Sequence, residues 1–153
     1  MQAMDLRARP PRRWNARIDG IPWLPRLIDK TRAAQAGTLG AYLFGQSPMD
    51  RECLHAFGLG HREFARIVAA SPTDEAVLAA LIDRDPAALE RARRWSDGFE
   101  RRHAAFLFVI DLDDGYLPGP WQALKPVSNL LANALTWTVK RVWPSRAIEP
   151  AGE

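Results

Sequence analysis

Four charged residues of one short segment have the types and the spacing that could bind an anion or a polar substrate. In WLPRLIDKTRAAQAG, residues 23–37, Asp29 lies three residues from both Arg26 and Arg32 and directly precedes Lys30. On a helix these spacings bring side chains together, and a guanidinium can hold a carboxylate through two parallel hydrogen bonds. The segment indicates either an anion or substrate site, or a structural ion-pair network that orients the helix against the preceding arm. The structural network is favoured because ion pairs are common.

Other acidic positions give weaker indications of chemistry. Asp50 and Arg51 could form an acid–base pair, but Asp50 falls in the first turn of a predicted helix, where a carboxylate stabilises the helix start. Residues 111–115, DLDDG, follow an apolar run and are similar to two known motifs. In the haloacid-dehalogenase pattern, glycine directly follows the second aspartate, whereas here Asp114 intervenes. A calcium loop needs an oxygen ligand at its fifth position, which is Gly115. A solvated turn is favoured.

The histidines and the cysteine do not have the spacing of a metal site. His55, His61 and His103 share no metal-binding interval, and Cys53 and His55 are two residues apart, so a helix points them in different directions. The sequence therefore predicts no bound metal and no cofactor.

Tryptophans and basic residues near the carboxyl end are typical of a surface-binding helix. The tryptophans are Trp121, Trp137 and Trp143, and the basic residues are Lys125, Lys140 and Arg141. A helix with an apolar face is predicted from Val127 to Val142, so residues 127–143 could lie in a membrane surface or contact a partner. The opposite face is mostly neutral. Packing on the protein's own core or on a second subunit is therefore favoured.

Apolar periodicity predicts the elements that position these residues. Prolines and Gly20 favour an extended basic arm over residues 1–22. Helices are predicted at about 25–36, 48–57, 61–70, 72–83 and 86–106, with a possible break at Gly98. Residues 111–120 are predicted to form a turn-rich loop. The sequence thus predicts an all-α protein: one compact domain of about five or six short helices, with a helical domain at 23–116 and a loop plus amphipathic helix at 117–153.

Three helix starts are predicted from capping signals. Ser47-Pro48-Met49-Asp50 and Ser71-Pro72-Thr73-Asp74 each place serine at the cap position, proline at the first helical position and a carboxylate at the third. Asp85-Pro86 is a third start of the same kind. Replacement of either serine by alanine is predicted to cost about 1 kcal/mol.

Composition limits the class of protein. A chain of 153 residues with 47% hydrophobic and 25% charged residues suits one soluble globular domain. The single cysteine cannot form an internal disulfide, which favours a reducing compartment. No run of 18 apolar residues is present, so no membrane span is expected. The net charge is +3, and the basic excess lies in residues 1–32. A solvated arm is favoured there over nucleic-acid binding.

Several short segments, in their order along the chain, carry a resemblance to a known family. They are Asp5-Leu6-Arg7, residues 26–32 (RLIDKTR), Ala36-Gly37, Tyr42, Asp50-Arg51, residues 57–60 (FGLG), residues 73–75 (TDE), residues 95–99 (WSDGF) and residues 108–115 (FVIDLDDG). In this order the chain resembles the bacterial family known as domain of unknown function 5069, over roughly residues 5–116. The resemblance implies no activity, cofactor or catalytic residue.

Together these patterns predict a cytoplasmic binding protein whose ligand is a protein partner or a small anion, with membrane association left open. The predicted binding residues are Arg26, Asp29, Lys30, Arg32 and Tyr42. One alternative is an enzyme with its site around Arg26, Asp29, Lys30 and Tyr42. Another is a peripheral membrane protein that uses the C-terminal helix. Nucleic-acid binding is not expected, and the oligomeric state stays open.

Overall fold

A computed structural model describes residues 4–127 and residue 130 of the chain. The protein is mostly helical and carries one small two-stranded sheet. Backbone contacts divide it into two compact units, with the boundary between Asp97 and Gly98. The predicted helix from Val127 to Val142 lies almost entirely outside the described residues.

The first unit contains a β-hairpin in the segment that the sequence predicts to be an extended arm. Strands β1 (Arg17–Ile18) and β2 (Ile21–Pro22) pair antiparallel. Asp19 and Gly20 form the turn, with φ angles of 48° and 80°. Both central residues of a type I′ turn need positive φ, and Asp-Gly is a preferred pair there. Strands of two residues are too short for alternation to reveal, which is why the all-α expectation missed them.

The helices of the first unit agree with the predicted segments to within about two residues at most ends. They are α1 (Leu24–Gln35), α2 (Pro48–Ala56), α3 (His61–Ala70), α4 (Asp74–Arg84) and α5 (Ala88–Ser96). The helix predicted over 86–106 is wrong as a single element. It breaks at Gly98, which adopts a left-handed conformation with φ 70°. Glycine enters that region at little cost, because it has no Cβ.

Helix α1 is buried along nearly its whole length. It packs on α3 and on strand β1. The side chains of Leu24, Leu27 and Ile28 are fully buried, and each contributes about 1.5 to 3 kcal/mol through removal from water. The charged residues of α1 are therefore embedded in the unit and do not form a solvated face.

The two serine caps differ from their predictions. Ser47 does precede α2, with Pro48 at the first helical position, but its side chain makes no capping hydrogen bond. The prediction for Ser71 is wrong, because Ser71 is buried and ends α3, and its N–H donates to Val68 O at 3.2 Å. The cap of α4 is Thr73, whose hydroxyl accepts the N–H of Ala76 at 3.1 Å.

We expect Thr73→Ala to lower the free energy of unfolding by about 1 kcal/mol, since it leaves the N–H of Ala76 without its side-chain acceptor. Ser47→Ala is the matched control and should leave the urea midpoint nearly unchanged. If urea denaturation showed the same loss of unfolding free energy for both variants, this assignment of the caps would be contradicted.

The second unit begins with α6 (Phe99–Asp113), followed by α7 (Gly119–Gln122). The predicted loop over 111–120 is therefore wrong in its first residues, because Asp111 and Asp113 are still helical. The helix ends in a Schellman arrangement: Tyr116 N–H donates to Asp111 O at 2.8 Å and Gly115 N–H to Leu112 O at 3.3 Å. Gly115 has the φ of 79° that this ending requires.

No helix among the described residues combines the length and the apolar character needed to cross a membrane.

Candidate functional site

The predicted site residues of α1 are almost completely removed from solvent. Arg26, Asp29 and Lys30 are 2%, 4% and 3% exposed. Burial of a charge is costly unless it is paired and hydrogen-bonded. The partners of these groups therefore decide what the cluster can do.

Lys30 is paired with Asp50 of α2. The Lys30 ammonium lies 2.5 and 2.7 Å from the two carboxylate oxygens, and Asp50 is fully buried. Asp50 also accepts the indole N–H of Trp23 at 2.9 Å and the backbone N–H of Gly45 at 3.0 Å. The sequence explained Asp50 as a helix-start charge, but its carboxylate is bound by three donor residues: Trp23 at the start of α1, Lys30 within α1, and Gly45 between α1 and α2.

Asp29 pairs with Arg12 of the N-terminal segment. The carboxylate accepts the Arg12 backbone N–H at 2.8 Å and two guanidinium N–H groups, at 2.9 Å from Nε and 2.7 Å from Nη2. The predicted pairing of Asp29 with Arg26 and Arg32 is therefore wrong. The sequence places Arg12 in a different segment, 17 residues away, and only folding brings the two groups together.

Arg12 extends this pair into a chain of four charges. Its Nη1 binds Asp74 Oδ2 at 2.5 Å, and Asp74 Oδ1 accepts Arg32 Nη1 at 2.7 Å. Burial by itself lowers the pKa of Arg12, but the bonds to Asp29 and Asp74 outweigh it and raise this pKa above its usual value. The chain, here called the Arg12 network, consists of Arg12, Asp29, Asp74 and Arg32. It ties α1, the N-terminal segment and the start of α4 together.

Arg26 lies between two aromatic rings. Its guanidinium carbon is 5.3 Å from the ring centre of Trp23 and 5.6 Å from that of Tyr42. Nη1 also donates to Arg12 O at 3.3 Å. The structure thus brings Tyr42 to the cluster, as the sequence predicts, through a cation–π contact.

Trp23 has a strained backbone at the start of α1. Its φ is 66°, a value that a bulky residue rarely adopts. Such a conformation costs about 1 to 3 kcal/mol and persists only where the surroundings enforce it. Here its N–H donates to Trp14 O at 3.1 Å, its carbonyl accepts from Leu27 N at 2.9 Å, and its indole is bound to Asp50.

The chemistry available to this cluster is limited. A general base needs a carboxylate that can reach a substrate proton, whereas Asp29 and Asp50 are buried and held by cations. Burial raises the pKa of the Cys53 thiol, and nearby Asp50 adds to this effect. The thiol is therefore protonated at neutral pH and is a poor nucleophile.

A separate groove opens beside the exposed end of the Arg12 network. It has a volume of about 360 Å³ and is open to solvent on one side. Helix α1, helix α3 and the α3–α4 connection line it. We call it the Arg32 groove; its lining residues are Arg32, Gln35, Ala36, Val68, Ala69, Ser71 and Pro72.

Arg32 supplies the charged group of this groove. Its side chain is 17% exposed, and Nη1 is bound to Asp74. Among the described residues, no acceptor lies within hydrogen-bonding distance of the buried Nη2. The sequence singles out Arg32 as a binding residue, but it marks Ser71 only as a helix cap and does not mark Gln35. Neither residue is predicted to line a groove, because α3 meets α1 only after folding.

The tail residues are only partly described. Trp121 is 46% exposed and packs edge-on against Phe108, with ring centres 5.4 Å apart. Trp137 and Trp143 lie outside the described residues. Within residues 4–127 and 130, no group of three His, Cys, Asp or Glu side chains could hold a metal ion.

Comparison with curated proteins gives no match. A family model described as Domain of unknown function (DUF5069) matches residues 8–105, which is more than half of the chain and lies within the 5–116 range of the predicted resemblance. The match includes α1 and every residue of the Arg12 network and of the Arg32 groove. The chain belongs to the DUF5069 family.

Proposed function

We propose that this protein acts by binding a small anionic ligand, and that the ligand lies in the Arg32 groove. The observation that carries the proposal is Arg32, the one charged side chain among the described residues that line the groove, whose buried Nη2 has no hydrogen-bond partner among the described residues. A buried donor without an acceptor costs about 1 to 3 kcal/mol. An anion in the groove would supply the acceptor after a shift of the Arg32 side chain that uncovers Nη2, which has almost no solvent-accessible surface.

Three further features support a binding site here. The volume of the groove is at the lower end of the range of about 300 to 1,000 Å³ that is usual for small-molecule sites. The Asp74 bond holds the guanidinium in place, so a ligand does not have to order it. The lining of the groove includes Ser71, a polar residue that stands among apolar ones.

An enzyme with its site around Arg26, Asp29, Lys30 and Tyr42 is less well supported. The strain at Trp23 favours it, because strained backbone often occurs at active sites. Against it, both carboxylates are occupied by cations, and a substrate would have to displace Arg12 or Lys30 to reach them.

Two other predictions remain part of the proposal without further support from the described residues. A protein partner or a membrane surface could contact the tail through Trp121 and residues 127–143, which are mostly undescribed. We also propose a cytoplasmic location in a bacterium and a single functional domain, as the sequence predicts.

Calorimetric titration of the full chain with acetate and with inorganic phosphate, at constant ionic strength, tests the proposal. Arg32→Lys keeps a cation beside Asp74 but removes the Nη2 edge. We expect it to weaken binding of whichever anion binds by roughly tenfold or more, as for one charge-assisted hydrogen bond. Arg93→Lys is the control, because Arg93 pairs with Asp19 on an exposed surface. Equal affinities for wild type and Arg32→Lys, or no binding of either anion, would contradict the proposal.

A further inference from the structure

The charge balance around Arg32 restricts the ligand class. The Arg12 network contains two guanidinium groups and two carboxylates, so its formal charges cancel. Arg32 is the one charged side chain among the described residues that line the groove. Its Nη1 donates to Asp74, so Nη2 is the guanidinium donor that can bind a ligand.

A dianion fits this arrangement poorly. It would gain one hydrogen-bonded edge of Arg32, while its second charge would lie near the Asp74 carboxylate without a further cation on the groove wall. A like charge next to a carboxylate is destabilising, and a desolvated charge without a partner costs more still. A monoanion adds one negative charge where a dianion adds two, so both penalties are smaller, and one guanidinium edge can bind it.

The walls of the groove match an apolar group. Four apolar residues line the groove with methyl, methylene and branched aliphatic groups: Ala36, Val68, Ala69 and Pro72. Gln35, one of the two uncharged polar residues, already donates its amide to Ala65 O at 2.7 Å. A ligand with an aliphatic chain would bury apolar surface here, and each buried methylene strengthens binding by roughly fourfold.

We infer that the ligand of the Arg32 groove is a short-chain aliphatic monocarboxylate, whose carboxylate accepts from Arg32 Nη2 and whose alkyl chain packs on Val68 and Ala69. This inference rests on the proposed function and names its ligand class. The volume of the groove suits a chain of a few carbons.

The test compares butyrate, acetate, butyramide and inorganic phosphate as ligands of the full chain, by calorimetry and by backbone amide shifts in NMR. Butyrate should bind about sixteenfold more tightly than acetate, because it adds two methylenes at roughly fourfold each. Butyramide keeps the chain but lacks the charge and should bind at least tenfold more weakly than butyrate. Phosphate should also bind at least tenfold more weakly than butyrate.

Variants at Ala69 test whether the alkyl chain of the ligand lies in the groove. Ala69 is exposed, so its replacement should leave the fold intact. Ala69→Asp brings a carboxylate to the wall and should weaken butyrate binding at least tenfold, while the near-isosteric Ala69→Asn changes it by only a few-fold.

The outcomes separate this inference from the proposed function. Phosphate binding that is tighter than butyrate binding and depends on Arg32 would overturn the monocarboxylate assignment and leave the anion site standing. Equal affinities for butyrate and acetate would overturn the alkyl contact. Butyrate binding that is the same in wild type and Arg32→Lys would overturn both.

Discussion

Asp50→Asn is expected to lower the free energy of unfolding by about 3 to 5 kcal/mol. The asparagine keeps the shape of the side chain and can still accept from Trp23 or Gly45, but it removes the charge that faces Lys30. The Lys30 side chain is only 4% exposed, so its ammonium would stay buried and lose the carboxylate that it binds. Urea denaturation followed by tryptophan fluorescence measures the loss.

The double variant Lys30→Met and Asp50→Asn is the matched control. It removes both charges, so no uncompensated ion remains, and replacement of buried pairs by neutral groups is often well tolerated. We expect it to be more stable than Asp50→Asn alone. A double variant whose loss equals the sum of the two single losses would show that Lys30 and Asp50 are not coupled.

Arg12→Ala is the second change with a large expected effect. It removes the cation that bridges Asp29 and Asp74, and it leaves the Asp29 carboxylate buried with one backbone N–H as its remaining bond. The Arg12 side chain is about one third exposed, so solvent screens part of the interaction. We expect a loss of about 2 to 3 kcal/mol.

A variant of the same segment gives the control for Arg12→Ala. Arg7 also pairs with an aspartate, Asp5, but both groups are exposed, and exposed pairs contribute little. Arg7→Ala should leave the urea midpoint unchanged. Arg12→Lys should recover part of the loss, because it restores the charge but not the forked hydrogen bonds. A similar midpoint for Arg12→Ala and Arg7→Ala would exclude the Arg12 network as a source of stability.

The sequence alone determined the features that depend on neighbours three or four residues apart. Helices α1, α2 and α3 are predicted nearly to their ends, because apolar periodicity, Pro48 and Gly37 are local signals that the fold does not override. The ordered motifs predict the family, which the match over residues 8–105 confirms. The same local reasoning picked out Arg26, Asp29, Lys30 and Arg32 as residues whose charges needed partners.

Only the tertiary structure determines which residues pair with these charged side chains. Asp29 could have bound Arg26 or Arg32 on its own helix, but the packing of the N-terminal segment brings Arg12 closer and gives Asp29 a forked pair plus a backbone N–H. Arg32 instead binds Asp74, 42 residues away, and its second guanidinium nitrogen, Nη2, is buried without a partner among the described residues. Helical spacing shows which charged side chains can come close to each other. Burial then determines which pairs form, because a buried ion is stable only beside a partner that offsets its lost hydration.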